Sequence, residues 1–161
     1  EAMNYAKIET CDVVNGPGVR TTLFVCGCSH NCQGCHNKEA QNFKFGNAYT
    51  DETEAIILKS LSGKFVAGLS ISGGDPLHPK NVEQVSKIVD KVRGSFGESK
   101  TIWVWTGYTI QELLSRGCPL TLDILNKINT LVDGKFVEGL RDTSLKYRGS
   151  SNQKVIYLNN P

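Results

Sequence analysis

Strand-forming and helix-forming segments alternate along this chain. The alternation predicts the α/β class: a single-domain partial (open) βα barrel of about five parallel strands with flanking helices. Two further observations point the same way. The strand-like segments end in small, turn-forming or reactive residues, at Cys26-Gly27-Cys28, Gly73-Gly74-Asp75, Thr106-Gly107-Tyr108 and Asp133-Gly134-Lys135. Parallel α/β proteins gather their sites at such carboxyl ends. The strand count also falls short of the eight that close a full barrel, so an open one is the economical architecture.

In chain order, Arg20 to Val25 (RTTLFV) is β-rich and runs straight into a cysteine-rich stretch. A helix is expected from near Asp51, with Glu54 as capping partner and Ile56, Ile57, Leu58 and Leu61 as its apolar positions. Leu69 to Ser72 is a short buried-type strand. Asn81 is placed as the cap of the clearest helix, whose Val82, Val85, Ile88, Val89 and Val92 keep helical spacing until Gly94 stops it. Thr101 to Thr106 (TIWVWT) follows as a strand, with Trp103 and Trp105 on one sheet face and read as core. Thr109 and Glu112 form a capping box for a helix ending near Gly117. Leu122, Leu125 and Ile128 mark another helix, then Thr130 to Val132 and Val155 to Leu158 read as strands. One domain is expected over 3–161, Glu1-Ala2 reading as a cloning remnant ahead of Met3.

The 161 residues carry a net charge of +2, with 39% hydrophobic and 21% charged residues. That composition fits a soluble globular chain, expected in the cytoplasm. The small charge gives no field for nucleic acid, and no window suggests a membrane span. Six cysteines in such a chain favour metal binding or catalysis over a disulfide framework.

Cys28, Cys32 and Cys35 follow the spacing C-x3-C-x2-C. Crowded thiolates are ligands for zinc, copper(I) or an iron–sulfur cluster. No fourth cysteine is in obvious range, whereas closed zinc sites and common ferredoxin clusters use four protein ligands. A cubane held by three cysteines leaves one iron open to substrate, a catalytic arrangement. The zinc reading needs His30, His36 or His78 as its fourth ligand. Cys11, Cys26 and Cys118 read as buried or incidental thiols.

The cysteine motif after the first strand, with a Gly-Gly-acid turn after the second, resembles the radical S-adenosylmethionine (SAM) superfamily. Asn15-Gly16-Pro17-Gly18-Val19-Arg20 and Cys35-His36-Asn37 resemble its glycyl-radical-enzyme activases. Ser72 to Pro79 (SGGDPLHP), Trp103 to Tyr108 (WVWTGY), Leu131 to Phe136 (LVDGKF) and Arg148 to Gln153 (RGSSNQ) extend the likeness over nearly the whole chain. They narrow it to the activases of anaerobic ribonucleoside-triphosphate reductase.

The resemblance implies a radical SAM-type fold, and a [4Fe–4S] cluster on Cys28, Cys32 and Cys35 whose open iron chelates S-adenosyl-L-methionine. Reductive cleavage of SAM would give a 5′-deoxyadenosyl radical, which takes a hydrogen from a glycine of the reductase large subunit. The activity implied is that of a radical SAM oxidoreductase with a protein substrate. A low-potential, flavodoxin-type donor would supply the electron. Gly34, Cys35, His36, Asn37, Gly73, Gly74 and Asp75 are implied as SAM-binding positions. Asp75 stands where the wider superfamily has glutamate, Gly34 where many members have an aromatic, and His36 where near relatives have tyrosine. The Arg148–Gln153 segment is expected at the rim of the SAM pocket or against the reductase. Two other functions stay open: a radical SAM enzyme acting on a small molecule, and a non-enzymatic zinc or iron–sulfur module.

Overall fold

A computed structural model describes residues 3–35 and 38–159. Seven strands form a single mixed sheet: β1 (Asn4–Asp12), β2 (Val19–Val25), β3 (Asn47–Ala48), β4 (Val66–Gly73), β5 (Thr101–Trp105), β6 (Thr130–Asp133) and β7 (Lys154–Tyr157). Four helices, α1 (Asp51–Leu61), α2 (Val82–Phe96), α3 (Ile110–Ser115) and α4 (Pro119–Lys127), lie between them. The strand order is β3-β1-β2-β4-β5-β6-β7.

The α/β expectation holds in this coarser form. The parallel part is four strands, β2, β4, β5 and β6, and not about five. β1 joins β2 antiparallel, and β7 returns antiparallel along β6. The reason is connection length: β1 reaches β2 through the short loop after Asp12, too short for a crossover, whereas each parallel step carries a helix.

Side chains alternate across the four parallel strands and divide two kinds of work. Leu23, Val25, Leu69, Ile71, Ile102, Val104 and Leu131 point to one face. There they form one core with Ile57 and Leu61 of α1, five residues of α2, Leu113 of α3 and Ile124 of α4. The five from α2 are Val82, Val85, Ile88, Val89 and Val92, each contributing about 1.5–3 kcal/mol when fully buried. The opposite parity is polar and aromatic: Arg20, Thr22, Ser70, Ser72, Trp103 and Trp105. Register places Thr22 beside Ser70 and Ser70 beside Trp103. This second face carries the candidate site.

Helix boundaries differ from expectation in three places. Thr50, one residue before α1, is its cap, and its box partner is Thr53, in place of Asp51 and Glu54. α2 runs through Gly94 to Phe96 and stops at Gly97, whose φ of 58° is left-handed. Asn81 makes no side-chain cap bond to α2. The Thr109–Glu112 box on α3 is present as read. No helix among the described residues is long and apolar enough to cross a membrane.

Candidate metal and cofactor site

All four strand ends noted in the sequence meet around one cavity of about 500 Å³ on the polar face. Cys28, Cys32 and Cys35 line it, with Gly73 and Gly74 after β4, Thr106 and Gly107 after β5, and Gly134 after β6. Its volume falls within the range of small-molecule and cofactor sites.

The cysteine loop is held by its own backbone and by the strands below. Asn31 and Gly34 take left-handed φ values of 49° and 76°. The Cys35 N–H donates to the Cys32 carbonyl at 3.3 Å, and the Gly27 N–H to Ala40 at 2.6 Å. Gly73 has φ 105°, and a Cβ on Gly74 would lie 2.6 Å from the Gly27 carbonyl oxygen and 2.7 Å from that of Ala40. Only glycines let the β4 turn pass this close beneath the cysteine loop.

The environment of the thiols suits a bound cation. Burial, aided by Asp75, Cys32 and Cys35 and opposed by the His30 N–H, pushes the Cys28 thiol up to about 11. Cys32 is raised chiefly by burial and also by Cys35. Backbone N–H groups face both sulfurs: His30 donates to Cys28 Sγ at 3.4 Å, and Phe136 donates to Cys32. Crowded, mutually repelling thiols with N–H donors already in place are what a bound cation and its thiolates require.

The two described histidines have their ring nitrogens directed to other partners. His78 accepts from the Lys80 N–H on Nδ1 at 3.1 Å and donates from Nε2 to Ser29 Oγ at 2.8 Å, so both nitrogens are used. His30 places Nε2 2.6 Å from Asp75 Oδ2. Donor atoms of Cys28, His30 and Asp75 lie within 4.8 Å of one another, but as links of a hydrogen-bonded chain. His36 and Asn37 lie outside the described residues.

Residues 14–156 match a family model described as a 4Fe-4S single cluster domain. The chain is 46% identical over 158 residues to the anaerobic ribonucleoside-triphosphate reductase-activating protein of Escherichia coli K12, spanning 97% of this chain and 99% of that protein. The protein of that name from Enterobacteria phage T4 is 40% identical over 153 residues, 95% of this chain and 93% of its own. That from Vibrio cholerae is 44% identical over 155 residues, covering 95% and 97%. The chain belongs to the anaerobic ribonucleoside-triphosphate reductase-activating protein family.

The match supports an iron–sulfur cluster in this activating-protein family member, and the three-thiol cavity suits one. The other positions named in the sequence lie as follows. Gly34 is not among the cavity-lining residues, and a Cβ there would run into the Glu138 carboxylate. Asp75 is fully buried below the cavity. Cys26 is buried off the cavity wall, Cys11 is exposed, and Cys118 sits at the start of α4. Trp103 is core, packed edge-on against Tyr147 at 5.0 Å, whereas Trp105 lines the cavity and donates Nε1–H to the Tyr147 carbonyl at 2.8 Å.

Sequence reasoning expected Arg148–Gln153 at the pocket rim but missed the rest of the far wall. Val14 and Asn15, from the loop between β1 and β2, reach the cavity because that loop folds back over the sheet. Residues 141–149 close it from the other side, and Arg148, Gly149 and Gln153 line it. Gln153 braces this cover, accepting from the Gly149 and Ser150 N–H groups and donating to the Gly134 carbonyl. The density of hydrogen-bonding groups in Arg148–Gln153 was the available signal.

Proposed function

We propose that this chain is a SAM-dependent activase that installs the glycyl radical of an anaerobic ribonucleoside-triphosphate reductase, working as one domain with a low-potential, flavodoxin-type donor. The single observation that carries the reading is the convergence of three thiols and the Gly73–Gly74 turn on one cavity with no fourth protein ligand among the described residues. Cys28, Cys32 and Cys35 would hold the cluster, leaving one iron for the amino and carboxylate groups of SAM. When bound, cluster and SAM supply reductive cleavage to a 5′-deoxyadenosyl radical able to take a hydrogen from glycine Cα.

The protein's part is to bind, orient and exclude water. Gly73 and Gly74 offer backbone at close approach to the methionine end. Trp105 and Phe136 supply apolar wall, and the 141–149 cover screens the cavity from solvent. The polar face of the sheet, with helices only behind it, serves as the inner wall of a partial barrel.

The test is SAM cleavage to 5′-deoxyadenosine by anaerobically reconstituted protein, with and without dithionite, beside Cys32→Ala. Reductant-dependent cleavage, lost in the variant and followed by activation of the reductase, is expected. Stoichiometric zinc, no iron uptake and no cleavage would overturn the reading. Cleavage without reductase activation would favour a small-molecule substrate.

A further inference from the structure

We infer that Asp75 acts on the cofactor site through His30, as a clamp on the cysteine loop, and not by touching SAM. The inference rests on the cluster reading above and assigns a positioning role to two residues. Asp75 is fully buried and its two oxygens already accept four hydrogen bonds. Oδ1 accepts from the Leu77 N–H at 2.9 Å and from Thr106 Oγ1 at 2.8 Å. Oδ2 accepts from the Gly107 N–H at 3.0 Å and lies 2.6 Å from His30 Nε2. An ionised carboxylate has about four lone-pair sites, so none is left for a ligand amine.

Three of those donors belong to the β4 and β5 ends. The fourth, His30, lies on the loop between Cys28 and Cys32. Its side chain is 7% exposed, which is unusual for a polar residue between two cavity-lining thiols. The ring is seated on three sides: Asp75 at Nε2, Tyr108 edge-on at 4.5 Å, and Gly107 beneath it. A Cβ on Gly107 would stand 2.4 Å from the ring, so glycine is what admits the imidazole. The backbone N–H of His30 donates to Cys28 Sγ at 3.4 Å. A path therefore runs from the strand ends through Asp75 to the His30 ring, which seats the His30 backbone whose N–H meets the first cysteine sulfur. Outer groups that hold a metal ligand in place fix its orientation, and their loss typically costs about 10–100-fold in metal affinity.

The full chain is reconstituted anaerobically, and iron loss to a ferrous chelator is followed alongside SAM binding, read from the EPR spectrum of the reduced cluster. His30→Ala is expected to lose iron about tenfold faster or more. His30→Gln, whose amide N–H reaches the same carboxylate, is expected to restore the wild-type rate, which a purely space-filling role would not. Asp75→Asn should behave as His30→Ala does, and the double variant should be no worse than either. Wild-type iron retention in His30→Ala overturns the inference. So does loss in His30→Gln equal to that in His30→Ala, or weakened SAM binding in Asp75→Asn with His30→Ala unaffected. The His30 pair decides the matter even where Asp75→Asn fails to fold. A wild type that takes up no iron overturns the cluster reading as well; one that takes up iron and cleaves SAM while His30→Ala is silent overturns the clamp alone.

Discussion

Asn81 offers a test in which two structural roles predict opposite signs. As a helix cap it would lose about 1 kcal/mol on replacement by alanine, and aspartate would serve nearly as well. In the structure it caps nothing. It is 2% exposed, and its Nδ2 donates to the Cys26 carbonyl at 3.0 Å and the Asp75 carbonyl at 2.9 Å. It therefore ties the end of β2, where the cysteine loop begins, to the turn after β4. Asn81→Ala strands the buried Cys26 carbonyl at about 1–3 kcal/mol, while the Asp75 carbonyl keeps the His78 N–H at 3.2 Å. That is a sizeable share of a total stability of about 5–15 kcal/mol. Asn81→Asp replaces the donor with a carboxylate facing two carbonyl oxygens, so at neutral pH it should be worse than alanine. Burial against two carbonyl oxygens raises the folded pKa of this carboxyl, so as pH falls from there toward the ordinary aspartate value protonation returns a donor and the loss should ease. Urea unfolding of the metal-free chain, followed by tryptophan fluorescence at pH 7 and pH 4, measures both effects. Asn81→Asp as stable as wild type at pH 7, or Asn81→Ala within about 0.5 kcal/mol of it, would refute the reasoning.

Three other expectations follow from the same geometry. Gly74→Ala forces a Cβ against two backbone carbonyls that cannot swing aside, so thermal unfolding should show a loss of at least about 1–3 kcal/mol. Burial lowers the His78 pKa below its ordinary 6.5, so the fold favours the neutral ring. Its contribution is intact above pH 6.5 and is lost as pH falls through the lower folded value; the urea midpoint should drop more steeply from pH 7 to pH 5 in wild type than in His78→Gln. Arg148 lines the cavity, with Nη1 held by the Gln153 carbonyl and a buried Nε that has no partner among the described residues. Arg148→Ala should weaken SAM binding by about 1.5–3 kcal/mol, an equilibrium titration giving the value, and unchanged affinity with unchanged reductase activation would remove Arg148 from the site.

The strand ends were legible because turn chemistry is local: Gly73-Gly74 and Gly107 announce themselves in any context. β1 was not. Its burial follows no alternation, Lys7, Glu9 and Thr10 being exposed, and its pairing with β2 shifts register twice, so period-two reading had nothing to detect. Gly94 misled because glycine weakens a helix interior by only about 1 kcal/mol, which the apolar stripe of α2 outweighs. The partners of Asp75 could not be read from spacing at all. A carboxylate after two glycines carries no sign that Leu77, Thr106, Gly107 and His30 are brought to it, because the last three lie on other segments of the fold and Leu77 is set by the turn that follows.

The segment from Asp12 to Arg20 shows why a motif that contributes no ligand belongs to the site. Burial alone would raise the Asp12 carboxyl, but hydrogen bonds from Thr22, Asn15 and the Val14 N–H outweigh it and hold it low. Those bonds turn the chain back over the sheet as it leaves β1. Arg20, fully buried, donates to Ser70 Oγ, Thr101 and the Leu69 carbonyl, bracing β2, β4 and β5 together. Ser70 in turn donates to the Asn15 carbonyl at 2.5 Å. A guanidinium with no carboxylate in contact is a poor source of stability, since burial penalises its charge. Its effect is geometric. Asn15 is set down on Ser70, three residues before Gly73, and at 3.3 Å per residue that is about 10 Å from the turn under the cysteines. Without the fold-back the polar face would be an open trough along the strands; with it, the trough becomes a cavity one ligand long.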